Sequence, residues 1–315
     1  MAHGLEFSNF FKFYRSMKIR HILTLTFAAA AIAFADEPQK AATSPAQPVD
    51  IAKLPEGVRE LDLFLLMGQS NMKGRGKVPP NQESNPRIVT MQMKNDQWVV
   101  ARDPLHVDGR VDRIDGSSNA GVGPGLSFAQ VLAAKEPDVM IGLIPCAVGG
   151  SKVSQWQKGV PRSLYDEALR RAKLALKEGP PGRTRLCGAL WLQGESDAKE
   201  ALYPQYQEKF LKVVDTLRAD LGIQDLPFIA CTIGSFIAKK EKAYPRVKEI
   251  NEVLMDLPAQ RPHTACVDAR DLTGSIGDNL HYNTESQQTI GPRYAEKYLT
   301  LQSADKAAGT SAANE

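Results

Sequence analysis

The stretch FLLMGQSNMKGRG, residues 64–76, decides the fold and points to its chemistry. An unbroken apolar run, typical of a strand buried on both faces, meets a glycine, an amide, a hydroxyl and a second amide. Gly68 and Gln69 predict a sharp turn after the strand, with Ser70 at its tip. Ligands of open α/β sheets bind beyond the carboxyl ends of the strands, so this turn is a candidate site.

Short apolar runs recur along the chain and alternate with amphipathic helical stretches. One helix is predicted from a start signal at Ser163-x-x-Asp166, and a last helix from the capping pattern Thr284-x-x-Gln287. Residues 74–122 interrupt this order and predict a long polar loop. The alternation predicts a three-layer α/β/α sandwich with a mostly parallel five-stranded sheet. The five predicted strands are 61–67, 139–146, 186–193, 226–233 and 264–269.

The N-terminus has the pattern of a secretory signal peptide. Basic residues precede the apolar run 22–35, which ends in the cleavage pattern Ala33-Phe34-Ala35. A transmembrane anchor is the alternative, but it needs about 20 apolar residues and this run is shorter. The sequence therefore predicts a secreted or periplasmic protein without a membrane span after cleavage. The predicted segments are 1–35 as signal peptide with an upstream extension, 36–60 as linker, 61–301 as the folded domain and 302–315 as a disordered tail.

Charge and cysteine content argue against several classes of protein. The predicted leader carries a net charge of +3, which equals the formal charge of the whole chain, so the rest is near neutral and no nucleic-acid partner is expected. Four cysteines would fit two disulfides in an exported protein, but all lie in apolar, strand-like runs, which favours buried thiols. No Cys/His pair has metal-ligand spacing, so neither a metal nor a cofactor is predicted.

Polar residues that suit acyl transfer follow several of the predicted strands. They supply a hydroxyl, small backbone donors, an amide, carboxylates and an imidazole. Each has a structural alternative, because such residues also cap helices, make tight turns and complement helix dipoles. The residues concerned are Ser70, Gly149-Gly150-Ser151, Gln193 to Asp197, and Asp278-x-x-His281.

A serine nucleophile usually needs a histidine as general base, and the chain has three histidines after the predicted leader. His263 precedes its strand and is expected at the opposite edge of the sheet. His106 lies in the long loop, where no strand edge fixes it, and remains open. His281 follows the last strand with Asp278 three residues before it, which suits a Ser-His-Asp arrangement.

Several blocks of the sequence resemble the SGNH hydrolases, and specifically the sialate O-acetylesterase-like group that includes the acetylxylan esterases of carbohydrate esterase family 6. The resemblance runs from about Leu61 to Leu299. The blocks are FLLMGQSNMKGRG, GVGPGLSFA, CAVGGSKVSQW, ALWLQGESDA and DNLHYN. It implies that Ser70 is the nucleophile, that Asp278 and His281 complete a triad, and that acetate is released from a sugar.

The chain departs from the superfamily at one position and leaves one choice open. Ser196 stands where the broad superfamily has an asparagine, so Gln193 is the candidate side-chain donor to the oxyanion, with the N–H groups of Ser70 and Gly150. Glu195 competes with Asp278 as the partner of the histidine. The candidates for substrate contact are Gln69, Asn71, Trp156 and Arg75.

The expected function is that of an exported carbohydrate O-acetylesterase acting on xylan-like or sialic acid esters. Two alternatives are a non-catalytic glycan-binding module on the same fold, and a lipase or thioesterase relative that prefers longer acyl chains. Neither the sugar nor its acetylated position follows from the sequence.

Overall fold

The computed structural model describes residues 47–107 and 119–312. The predicted signal peptide and the first part of the predicted linker lie outside these residues. Across the described ranges, no helix is both long enough and apolar enough to cross a membrane.

Seven strands and seven α-helices, with short 3₁₀ turns between them, make up the described chain. The strands are β1 (Glu60–Gly68), β2 (Ile88–Met91), β3 (Trp98–Val100), β4 (Val139–Pro145), β5 (Thr184–Leu192), β6 (Phe228–Cys231) and β7 (Thr264–Val267). The helices are α1 (Ser70–Lys73), α2 (Pro124–Lys135), α3 (Leu164–Glu178), α4 (Tyr206–Leu221), α5 (Val247–Met255), α6 (Leu257–Gln260) and α7 (Thr284–Ala312).

The strands form one sheet in the order β3-β2-β4-β1-β5-β6-β7. Every neighbouring pair is parallel except β2 and β3, which are antiparallel. The predicted mostly parallel α/β/α class is confirmed, but the predicted number of five strands is wrong. The two additional strands, four and three residues long, lie in the stretch predicted as a polar loop and extend the edge beyond β4.

The central strand shows why the sheet is covered on both faces. Every residue from Leu61 to Met67 is buried, and successive side chains of a strand point to opposite faces. Phe64 packs edge-to-face on Phe128 of α2 and Tyr298 of α7. Trp191 pairs in register with Met67, three residues from Phe64, so it faces the other side, where it packs on Phe210 of α4.

Both ends of the predicted domain are more structured than the composition indicates. Within the predicted linker, Pro48 bridges Val99 of β3, and the side chains of Ile51 and Val58 are buried. At the other end, α7 continues through 302–312, where the sequence predicts a tail. Ile51 and Val58 thus belong to the hydrophobic core although the stretch around them has the composition of a linker.

Two helix starts test the capping predictions. The Ser163 hydroxyl accepts a hydrogen bond from the Asp166 N–H at 3.0 Å, as the start signal predicts. For α7 the cap lies one residue earlier than predicted, because the Asn283 side chain accepts from the Ser286 N–H at 2.9 Å. The four cysteines are free thiols.

Candidate active site

Gly68 makes the turn that presents Ser70. Its φ of +132° lies in a region that L side chains rarely adopt, and a Cβ there would stand 2.1 Å from the Leu192 carbonyl oxygen. This close approach joins the ends of β1 and β5, and the Gln69 N–H donates to the same carbonyl at 2.9 Å. Ser70 then begins α1, where its own N–H has no acceptor within the helix.

Ser70, His281 and Asp278 form a continuous hydrogen-bonded chain. His281 Nε2 is 2.9 Å from Ser70 Oγ, and His281 Nδ1 is 2.5 Å from Asp278 Oδ2. The other carboxylate oxygen, Asp278 Oδ1, accepts the backbone N–H groups of Leu280 and His281, each at 2.9 Å. Both oxygens of Asp278 thus accept hydrogen bonds from the loop that carries the imidazole.

Burial and neighbouring charges hold His281 neutral and Asp278 ionised near neutral pH. Burial lowers the pKa of His281 below 6.5, and the Arg75 and Lys240 charges add to this, although Asp278 acts in the opposite sense. Partial burial raises the pKa of Asp278, but hydrogen bonds from the His281 and Leu280 backbone and from the imidazole outweigh it, so the pKa ends below 3.8. A neutral imidazole beside an ionised carboxylate can accept a proton.

Glu195, the alternative partner for the histidine, is bound elsewhere. It is fully buried, and its Oε1 accepts a short hydrogen bond from Asn71 Nδ2, while no described residue bonds its buried Oε2. Burial raises its pKa to about 7. His106, the other open candidate, is also buried, and burial lowers its pKa to about 3. In the structure, Asp278 and not Glu195 bonds the imidazole, and His281 and not His106 bonds the Ser70 hydroxyl.

Gln193 does not face the Ser70 hydroxyl with a free amide. The side chain is fully buried, and its Nε2 donates to Asp197 Oδ2 at 2.5 Å, to the Ser151 carbonyl at 3.1 Å and to Gln69 Oε1 at 3.2 Å. All three partners are acceptors, so the amide nitrogen must face them. The geometry contradicts the prediction that this amide serves the oxyanion.

Gln69, predicted to contact substrate, belongs to the same buried network. Its Oε1 accepts the Ser196 N–H and the Gln193 amide, both at 3.2 Å, and 3% of the residue is exposed. Asp197 extends this network by accepting the Val153 N–H at 2.9 Å. The network joins the turns that follow β1, β4 and β5, and so helps to fix the turn that carries Ser70.

Gly150 remains a candidate backbone donor. It lies in the turn after β4 with a φ of +69°, and no heavy atom lies within 4 Å of the position its Cβ would take. The Val148 N–H donates to the Gly68 carbonyl at 3.1 Å, which ties this turn to the one that carries Ser70. The N–H groups of Ser70 and Gly150 thus belong to adjacent turns at one edge of the sheet.

Two further residues predicted to contact substrate are buried instead. Trp156 is fully buried, packs edge-to-face on Trp191 at 5.3 Å between ring centroids, and donates its Nε1–H to Ser151 Oγ at 3.2 Å. Asn71 is fully buried and bonds to the loop around His281. Both predictions were wrong because position after a strand says nothing about which way a side chain points.

Two basic residues, Arg75 and Lys240, lie near enough to the imidazole for their charges to act on it. Arg75, predicted to contact substrate, is half-buried, donates to the Asn119 carbonyl at 2.8 Å and lowers the pKa of His281 by its charge. Lys240, which sequence reasoning missed, acts on the imidazole in the same way. It ends the 3₁₀ turn Ser235–Lys240 that follows β6, so inspection of that strand end would have found it.

A mostly parallel α/β/α fold with a Ser-His-Asp cluster at the carboxyl edge of its sheet suits a hydrolase. The model of the family described as "Carbohydrate esterase, sialic acid-specific acetylesterase" matches residues 60–300. The chain belongs to this family of carbohydrate esterases.

Individual relatives agree with the family match. A probable carbohydrate esterase of Arabidopsis thaliana is 33% identical over 258 residues, covering 76% of this chain and 90% of that protein. The X-ray structure of that Arabidopsis protein has a TM-score of 0.65 and 31% identity, over 76% of this chain and 98% of the other. Two more distant structures share the fold. The structure of NanS has a TM-score of 0.60 and 18% sequence identity, and the match covers 78% of this chain and 99% of NanS. The structure of a carbohydrate acetylesterase from Xanthomonas citri has a TM-score of 0.53 and 21% identity, and the match covers 75% of this chain and 55% of that one.

Proposed function

We propose that this chain removes acetyl groups from acetylated carbohydrates through a serine acyl-enzyme. The observation that carries the proposal is the hydrogen-bonded chain from Asp278 through His281 to Ser70. Each member has the protonation state that the reaction needs, because the imidazole pKa is lowered and the carboxylate is stabilised by backbone N–H groups.

In the proposed mechanism, His281 Nε2 takes the proton of Ser70 as its Oγ attacks the acetyl carbonyl. The backbone N–H groups of Ser70 and Gly150 stabilise the oxyanion that forms. The imidazolium then gives its proton to the departing sugar oxygen, and an acetyl-serine remains. Water then loses a proton to the same imidazole and attacks the acetyl-serine. Acetate leaves as the bond to Ser70 Oγ breaks, and the imidazolium returns the proton to that oxygen.

The positive charges of Arg75 and Lys240 favour an acidic sugar as the group that carries the ester. Arg75 and Lys240 both lie close enough to affect the pKa of His281, so a carboxylate on the sugar would meet positive charge beside the reacting ester. O-acetylated sialic acid has this chemistry, and neutral acetylated xylan lacks it except where it bears uronic acid side groups. The predicted signal peptide, residues 1–35, supports export to where such glycans occur.

Acetate release from matched substrates tests the proposal. We expect the protein to release acetate from O-acetylated sialic acid faster than from acetylated xylan or acetylated pectin, and we expect Ser70→Ala to abolish release. The p-nitrophenyl esters of acetate, butyrate and octanoate should be cleaved in order of decreasing rate. Binding of glycan without acetate release would indicate a binding module, and faster cleavage of octanoate would indicate a lipase relative.

A further inference from the structure

Asn71 is placed to control the position of the imidazole. It follows Ser70 directly, and its side chain bonds to the backbone on both sides of His281. Its Oδ1 accepts the Tyr282 N–H at 3.0 Å, and its Nδ2 donates to the Leu280 carbonyl at 3.1 Å. One buried amide therefore joins the turn of the nucleophile to the loop of the base.

Bonds inside the loop around His281 fix its shape, and the Tyr282 hydroxyl lies within 3.5 Å of the Thr232 and Ala269 carbonyls beyond β6 and β7. Inside the loop, Ser275 bridges Tyr282, the Ile276 N–H donates to the His281 carbonyl at 3.1 Å, and Asp278 accepts two N–H groups. These bonds hold the imidazole relative to Asp278. They do not hold it relative to Ser70, which lies on a different element, and the Asn71 side chain supplies bonds that do.

Glu195 sets the orientation of the Asn71 amide. The second hydrogen of Asn71 Nδ2 is donated to Glu195 Oε1, so the nitrogen faces two acceptors and Oδ1 faces a donor. A flipped amide would set its oxygen against the Leu280 carbonyl and the carboxyl group, and its nitrogen against the Tyr282 N–H. Because the carboxyl group is fully buried, this contact is shielded from water.

We infer that Asn71 is a positioning residue that holds His281 on Ser70, and that Glu195 fixes the amide of Asn71 in the orientation this requires. The inference rests on the proposed function, because it assigns Asn71 a part in the serine chemistry. It gives Glu195 a role other than that of the acid of the triad. Neither residue contacts the substrate.

The first test is a double-mutant cycle with His281. We expect Asn71→Ala to lower kcat for p-nitrophenyl acetate by about 100-fold with little change in KM, since small displacements of catalytic groups cost about this much. In a His281→Ala background the same substitution should cost less than about threefold, because residues that act as a unit are not additive. An equal loss in both backgrounds, or full activity of folded Asn71→Ala, would overturn the inference.

A matched control separates positioning from general stability. Asn251 is also a buried asparagine whose amide bonds a backbone N–H and a carbonyl, those of Ile233, at 2.8 and 3.0 Å. Asn251→Ala should lower the stability of the protein while kcat and KM of the folded fraction stay unchanged. If Asn71→Ala does not fold, Asn71→Asp keeps the acceptor for Tyr282 and loses both donated bonds, and the same cycle applies to it.

Glu195 is tested by a conservative and a disruptive variant. Glu195→Gln keeps an oxygen that can accept from Asn71, so we expect kcat near that of the wild type. Glu195→Leu removes the acceptor and should lower kcat in the same way as Asn71→Ala. A large loss in Glu195→Gln with full activity in Glu195→Leu would contradict the assigned role.

A measurement that does not depend on activity distinguishes failure of the inference from failure of the proposed function. NMR titration of the His281 ring, assigned with His281→Ala, should show that Asn71→Ala raises its pKa toward 6.5, because the imidazole loses burial. An inactive wild type that shows this shift would refute the proposed function and leave Asn71 as the anchor of the loop. An active wild type without this shift, together with additive kinetics, would refute the inference alone.

Discussion

Ser70 Oγ and His281 Nε2 lie 2.9 Å apart although 211 positions separate them in the chain. The first residue follows the central strand β1, and the second follows the edge strand β7. Because both strands run in the same direction, their carboxyl ends reach the same edge of the sheet, and the loop after β7 extends across β5 and β6 to reach the hydroxyl.

The carboxylate that bonds the imidazole should be indispensable. We expect Asp278→Asn to lower kcat by about 10³- to 10⁴-fold, since an amide there favours the wrong tautomer of the ring. Steady-state kinetics on p-nitrophenyl acetate measures the effect. The control is Asp268→Asn, which removes an exposed carboxylate paired with Arg270 and should leave kcat unchanged. Equal activity of the two variants would exclude Asp278 as the acid.

The pH dependence of the reaction should follow the lowered pKa of His281. The imidazole acts as a base in its neutral form, so kcat/KM falls as the pH drops through that pKa, which lies below 6.5. Arg75→Gln and Lys240→Gln each remove a positive charge that lowers this pKa, and should shift the midpoint to higher pH. Arg261→Gln, which removes a half-buried cation paired with Asp215, should leave the midpoint unchanged. A wild-type midpoint at or above 6.5 would contradict the assignment.

Trp156 should matter for stability and not for substrate binding. We expect Trp156→Phe to lower the free energy of unfolding by about 1–3 kcal/mol, because a buried hydrogen bond and part of the packing are lost, while KM stays unchanged. Urea denaturation and kinetics measure the two effects. Trp98→Phe is the matched control, since Trp98 is also buried and donates its Nε1–H to Glu178 at 3.0 Å. If KM rises in Trp156→Phe and not in Trp98→Phe, Trp156 does take part in sugar binding.

Gly68 should tolerate no side chain. We expect Gly68→Ala to destabilise the protein by about 3 kcal/mol or more, because it combines an unfavourable φ with a clash against the Leu192 carbonyl. Gly222→Ala is the control. Gly222 has a φ of +69° with no heavy atom within 4 Å of its Cβ position, so the strain alone costs about 1 kcal/mol. Thermal unfolding of both variants measures the difference, and equal losses would show that the clash is relieved by a small shift.

The predicted strands and the polar turns after them could be derived from the sequence because burial on both faces leaves long apolar runs. The strands β2 and β3 could not, since runs of four and three residues have no distinct pattern and gain stability from pairing beside β4. No candidate residue is predicted at the strand end after β6, which leads into the turn that ends at Lys240. Residue type and position alone assigned Gln193, Asn71 and Trp156 to the surface of the site, where the structure buries all three.

The sequence by itself determined the strand that leads into the Ser70 turn, the class of the fold, and the short spacing that puts Asp278 and His281 on one loop, because these depend on local pattern and spacing. Tertiary structure alone decided which carboxylate bonds the imidazole, where the Gln193 amide points and what Asn71 holds. Those outcomes depend on how turns from different strands meet at one edge of the sheet. There, most buried polar atoms take the partners that the neighbouring turns provide, and the chain order does not contain that information.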